Sequence, residues 1–151
     1  MTSTLDQLPK RTQVLARSQL AEDEEVVAVL AGRSKQAMIV TDRQVLIVKP
    51  GWMAGAALGT KAGSFPFGVI TAINVHTGRG IAALEIVSAA GPPSAKPDLR
   101  TAFQLPNWLP CDPSLGRSPV IAELRSYVRS GGRARSARAE LSGFEPSPRL
   151  H

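Results

Sequence analysis

Between Gln36 and Gly51 the chain reads QAMIVTDRQVLIVKPG, two short apolar runs on either side of a polar pair. Met38, Val40, Val45, Ile47 and their β-branched neighbours alternate or run on in segments too short for a helix, while Asp42 and Arg43 sit where a turn is needed. The pattern predicts a hairpin of strands at Ala37–Thr41 and 44–49. Before it, Val26–Ala31 is a β-branched run that ends at Gly32 and reads as the first strand. After it, strands are expected at 64–67 and 72–77, and Gly78, Arg79 and Gly80 turn the chain into another at Ile81–Ser88. A seventh strand is expected at 100–105, beyond the segment AAGPPSAKPD, whose prolines forbid regular pairing.

Helical spacing appears at both ends. Leu5, Leu8, Val14 and Leu15 lie close to one face, with Lys10, Arg11 and Arg17 elsewhere, which predicts a short amphipathic helix with Pro9 near its start. Past the irregular stretch PNWLPCDPSLGR, Ser118 can cap a helix with Pro119 at its first position. Val120, Ile121, Leu124, Tyr127 and Val128 then form a single apolar stripe, and Gly131 and Gly132 stop the helix. Seven short antiparallel strands in a small domain bend into two nearly orthogonal sheets. The open corner of that partial barrel must be covered, and the 120–128 stripe has the right length to cover it. The expected fold is therefore mainly β, a seven-stranded partial barrel capped by one C-terminal helix. It divides into an N-terminal helical segment (1–19), the domain (20–130) and a flexible basic tail (131–151).

The hairpin and the elements after it also resemble a known family. TDRQVLIVKPG, followed by WMAGAALGTKAGSF, FPFGVITAINVHTG and IAALEIV, is similar to the bacterial PH-like domains of the YokE type. Those domains share a TDRR-type turn, an apolar strand ending in KPG, a glycine-rich loop, an SFPY-type strand and an I-x-x-I-x-V strand in this order. Thr41, Asp42 and Arg43 match the turn, with Gln44 where a second basic residue is common. Ser64, Phe65, Pro66 and Phe67 match the next element, and Ile70, Ile73 and Val75 the one after. The resemblance spans roughly residues 20–129 and rests on core and turn positions, so it implies a PH-like fold and no activity.

Composition narrows the class. A chain of 151 residues with 43% hydrophobic content and 20% charged suits one domain with a real core. The longest weakly charged apolar region, 44–60, is interrupted by Lys49 and Pro50 and falls short of the ~20 residues of a membrane span. The amino terminus lacks the apolar h-region of a secretory signal, and the single cysteine forms no internal disulfide, so a cytoplasmic location is the default expectation.

Catalytic chemistry finds no support. His76 and His151 are the only histidines and Cys111 the only thiol, and no HExxH, GxSxG, Walker or zinc-ligand spacing occurs. The acidic run Glu22, Asp23, Glu24, Glu25 diverges in direction along the chain and reads as a solvated lead-in, not as a cation site. The expectation is a non-enzyme without cofactor or metal.

Binding chemistry has more candidates. Gly51, Gly55, Gly59 and Gly63 punctuate a loop that holds Trp52 and Met53, with Lys49 and Lys61 at its ends. Such a loop inserts shallowly into a bilayer interface or docks on a partner. Alternatively, Trp52 and Met53 fold back to plug the barrel end, with the glycines permitting the tight path. Arg33 and Lys35, in the loop after the first strand, offer generic attraction to an anionic surface. The strand that follows them lacks the R-x-R pair of lipid-binding members of the wider superfamily, so specific headgroup recognition is not expected. Lysine plus arginine exceed acidic residues by 6, and from Arg129 onward 5 arginines, Arg133, Arg135 and Arg138 among them, face only Glu140 and Glu145. Without interleaved aromatics that tail reads as solvating, and a nucleic-acid partner is not expected. The leading expectation is an adaptor or scaffold that binds another protein, or copies of itself, through a sheet edge, the Trp52 loop or the Trp108 loop. The runner-up is a peripheral module for anionic membranes.

Overall fold

The computed structural model describes residues 5–50, 60–89, 99, 101–103 and 105–132. The hairpin forms as its pattern requires. Strand β2 (Ala37–Thr41) pairs antiparallel with β3 (Gln44–Pro50), with Val40 opposite Val45 and Met38 opposite Ile47. At the turn, Thr41 Oγ1 accepts the amides of Arg43 and Gln44 at 3.1 Å each. Strands β1 (Val26–Ala31) and β4 (Thr60–Pro66) flank the hairpin to complete a four-stranded sheet in the order β1-β2-β3-β4. Strands β5 (Ile70–Gly78), β6 (Ile81–Ser88) and β7 (Trp108–Cys111) form a second, three-stranded sheet.

The last strand lies further along the chain than its pattern suggested. Within 100–105, residues Thr101–Phe103 make a 3-10 turn, and the seventh strand is WLPC. Pro110 sits inside it without breaking the ladder. Ile86 N–H bonds to Asn107 O, so by alternation Leu109 and Cys111 bond to β6 while Pro110 turns its nitrogen and carbonyl away. That carbonyl accepts Arg33 N–H at 2.8 Å, joining β1 to β7 at one corner. The stretch after β7 also holds a short helix that the pattern left irregular, α2 (Pro113–Gly116). Asp112 caps it, accepting Ser114 N–H at 2.9 Å, with proline at the first turn.

The four-stranded sheet is buried on both faces. Its inner face contributes Ala28, Leu30, Met38, Val40, Val45 and Ile47 to a core shared with Leu84, Ile86, Leu109 and the C-terminal helix. Its outer face presents Val29, Ala37, Ile39, Leu46 and Val48 to Leu5, Leu8, Leu15 and Ala16 of the N-terminal segment. This double burial explains why the strands read as continuous apolar runs instead of clean alternation. The N-terminal segment is a 3-10 turn at Leu5–Gln7 followed by α1 (Lys10–Ser18), broken at Pro9. Because the two pieces do not share one helical phase, Val14 is 61% exposed rather than inward, and Thr12 takes a buried place, its hydroxyl donating to Lys35 O.

The C-terminal helix α3 (Val120–Arg129) closes the remaining corner, between β5 and the β2–β3 turn. Ser118 Oγ accepts Val120 N–H at 3.2 Å, the capping expected of it. Ile121, Leu124, Tyr127 and Val128 are buried in the core. Tyr127 packs edge-on against Phe67 at 5.4 Å, and its hydroxyl donates to Thr41 O at 3.2 Å. Gly131 and Gly132 end the helix with φ of +76° and +66°, and their amides return to Val128 O and Tyr127 O.

Candidate functional site

An outward strand edge beside a helix is the most distinctive surface among the described residues. β5 ends the order β5-β6-β7, so among the described residues only β6 pairs with it. Since Ile86 directs both polar groups to Asn107, its partner Ile73 is a non-hydrogen-bonded pair and turns its own N–H and C=O to the open side. Val75 and Thr77 share that phase. One of these outward groups is met by α3: Arg125 Nε donates to Ile73 O at 2.9 Å.

Between strand and helix lies a groove of about 330 Å³. Ile70, Ile73 and Val128 give it an apolar floor and wall, and Thr71, Asn74, Arg125 and Arg129 give it polar groups. Both arginines are exposed, and no carboxylate of the described residues stands in ion-pair range of either. The pattern along the chain points to a sheet edge but does not distinguish one edge from another. The available signal was a pair of arginines four apart on α3, beside its apolar stripe, with no acidic residue three or four positions from either.

Several residues singled out from the sequence stand elsewhere. Lys49, expected at an exposed loop end, is fully buried. Its ammonium donates to Gln36 Oε1 at 2.5 Å, Ala102 O at 2.9 Å and Trp108 O at 2.7 Å. It fastens the segment that leads into β7 and is unavailable to a membrane or partner. Trp108, expected in a contact loop, is 1% exposed in β7, stacked on His76 at 4.7 Å and 16° and packed with Ala83, Ala102, Leu99 and Leu105. Both corrections share a cause: Leu99, Ala102 and Leu105 pack with Trp108 and Ala83 on the three-stranded sheet, and the carbonyls of Ala102 and Trp108 draw in the Lys49 ammonium. His76 Nε2 lies 2.9 Å from the buried Glu85 Oε1, which orients the ring for that stack.

Arg33 is exposed yet engaged, donating to Gly80 O at 2.6 Å with Asp112 at 3.8 Å. Lys35 is exposed in a tight turn where Ser34 and Lys35 hold φ of 56° and 64°, the left-handed pair of a type I′ hairpin. The backbone of Lys61 pairs in β4 opposite Lys49. Trp52, Met53, Arg133, Arg135 and Arg138 lie outside the described residues.

The acidic run does more than lead in. Glu24 Oε2 accepts from Thr41 Oγ1 at 2.6 Å and Gln44 Nε2 at 2.8 Å, and Asp23 pairs with Arg43 at 2.7 Å, so two of the four carboxylates brace the β2–β3 turn. Burial pushes the Glu24 carboxyl up, but the hydrogen bonds from Thr41, Ala21 and Gln44, aided by Arg43, outweigh it and hold it below its ordinary 4.5. Cys111 is buried, and desolvation, with Asp112 nearby and Arg33 opposing, raises its thiol from 9.0 to about 11. Among the described residues no group of three metal-ligating side chains converges, and no helix is long and apolar enough to cross a membrane.

Two antiparallel sheets and a C-terminal helix make up the arrangement expected from the sequence. In structure the chain is similar to a DUF1696 family protein with a pleckstrin-homology domain from Shewanella loihica PV-4. The two are 14% identical, over 86% of this chain and 98% of that one, with a TM-score of 0.46. It is also similar to a pleckstrin homology domain from Shewanella amazonensis SB2B, at 13% identity over 82% and 89% of the two chains and a TM-score of 0.44. No protein-family profile matches the chain, and no curated protein matches it significantly.

Proposed function

We propose that this chain is a non-catalytic PH-like binding module of the YokE type that takes up an extended polypeptide segment along the outer edge of β5, in the groove beside α3. The observation that carries this reading is the outward phase of Ile73, Val75 and Thr77 on a strand with no second neighbour among the described residues. Main-chain donors and acceptors on such an edge supply affinity for an added strand, and the adjoining groove supplies side-chain selectivity. Of the other surfaces expected from the sequence, the Trp108 loop offers no contact because Trp108 is interior, and Trp52 lies outside the described residues.

Selection of displayed peptides on the folded protein tests the proposal, with Val75→Pro as the counter-screen. Proline there removes one outward N–H and leaves the hydrogen bonds to β6 in place. Peptides that bind the native chain and lose binding to a folded Val75→Pro variant are expected. Peptides that bind both equally, or a selection that yields none, overturn it.

A further inference from the structure

The groove beside β5 is charged on one side only. Arg125 and Arg129 stand four apart on α3 and both line it, whereas its remaining side chains, Ile70, Thr71, Ala72, Ile73, Asn74 and Val128, are neutral. Like charges at this spacing on a helix repel. The acidic residue nearest in sequence, Glu123, is two positions from Arg125 and so projects from a different side of the helix. The guanidinium of Arg125 is also held in place. Its Nε is spent on Ile73 O at 2.9 Å, and among the described residues its terminal nitrogens make no further hydrogen bond. A planar donor fixed at one nitrogen and open at the others is prepared for a carboxylate.

Resting on the sheet-edge reading above, we infer that the segment taken up by this groove is acidic: an extended peptide that places a carboxylate between Arg125 and Arg129 and an apolar side chain against Ile70 and Val128. In an extended strand alternate side chains face the same way, so the acidic and apolar residues of the partner stand two apart. An anionic membrane surface shares the charge but offers no N–H and C=O ladder to the outward groups of β5, and the peptide accounts for both features.

The test uses the full chain and a synthetic peptide in which threonines alternate with glutamate and leucine, labelled for fluorescence anisotropy. Its counterpart carries glutamine in place of glutamate. The glutamate peptide is expected to bind at least about tenfold more tightly at low salt, with the advantage shrinking as salt rises. Arg125→Gln and Arg129→Gln, each checked for native circular dichroism, should bring the two peptides to near-equal affinity, while Arg125→Lys retains part of the preference. Equal binding of both peptides to the native chain, lost in Val75→Pro, overturns the acidic assignment and leaves the edge reading standing. Binding of neither peptide overturns both. Vesicles containing phosphatidylserine are the competing ligand. Vesicle binding abolished by the two arginine substitutions, with both peptides ignored, overturns the assignment in favour of a lipid surface.

Discussion

The ammonium of Lys49 donates to the backbone carbonyl of Trp108 at 2.7 Å across 59 positions of sequence, and neither residue meets solvent. The same group satisfies Ala102 O and Gln36 Oε1, so three acceptors from separate parts of the chain depend on one side chain. Lys49→Met keeps the bulk and removes the donors. It should destabilise the fold by about 2 to 4 kcal/mol, because buried acceptors lose their partner. Urea denaturation would show a lower midpoint at an unchanged slope.

Gly131 and Gly132 separate two contributions to helix termination. A Cβ at Gly131 meets nothing within 4 Å, so Gly131→Ala carries only the left-handed backbone penalty, about 1 kcal/mol. A Cβ at Gly132 would stand 2.1 Å from the Phe67 ring. Gly132→Ala should therefore cost more, about 2 to 4 kcal/mol, by displacing the aromatic pair that seats α3. Thermal melts of the two variants should differ by several degrees.

Cys111 makes stability fall in alkali. The folded chain keeps its thiol proton up to about pH 11, whereas an unfolded chain releases it near 9.0, so the native state binds more protons between those values. Stability is level below pH 9 and declines by about 2 to 3 kcal/mol on the way to 11. Cys111→Ala should flatten that limb. At pH 8 alkylation of the native thiol should run about 100-fold slower than in denaturant, as the thiolate fractions dictate.

On the acid side Glu24 acts with the opposite sign. Its carboxyl is held below the ordinary value, so its contribution is complete above the unfolded pKa and is lost as pH falls through the folded one. Glu24→Gln should lower stability by about 1 kcal/mol at neutral pH, discounted for partial exposure, and weaken the acid dependence. A Glu24→Gln variant with the native midpoint at pH 7 would show that the brace on Thr41 contributes nothing.

The turn at Ser34 and Lys35 is an opportunity for stabilisation. Both residues hold left-handed φ without being glycine or asparagine. Ser34→Asn combined with Lys35→Gly installs the pair that a type I′ turn favours and should raise stability by about 1 kcal/mol. Calorimetry would register the gain.

What the sequence revealed was local. The β2–β3 hairpin, β6 and α3 were legible because a turn pair, a continuous apolar run and a capped stripe each lie within a few residues of one another. β7 was not, because Pro110 hides a strand whose partner bonds skip that position, and the strand's outward carbonyls are met by Arg33 and Lys49 from far upstream. The groove escaped for a similar reason: Ile73 and Arg125 stand 52 positions apart, and only the folded sheet shows that Ile73 faces outward. The interior place of Trp108 depended on a covering segment that composition marks as a loop.

The outer face of the four-stranded sheet bears on how this protein can be cut. Leu5, Leu8, Leu15 and Ala16 complete a layer with Val29, Ile39, Leu46 and Val48, so an excision beginning at residue 20 would strip one side of every central strand. What remained would present a flat aliphatic surface next to intact pairing, the form in which sheets adhere to one another. The smallest portable unit of this chain therefore starts ahead of Leu5, and an N-terminal fusion partner belongs before that residue.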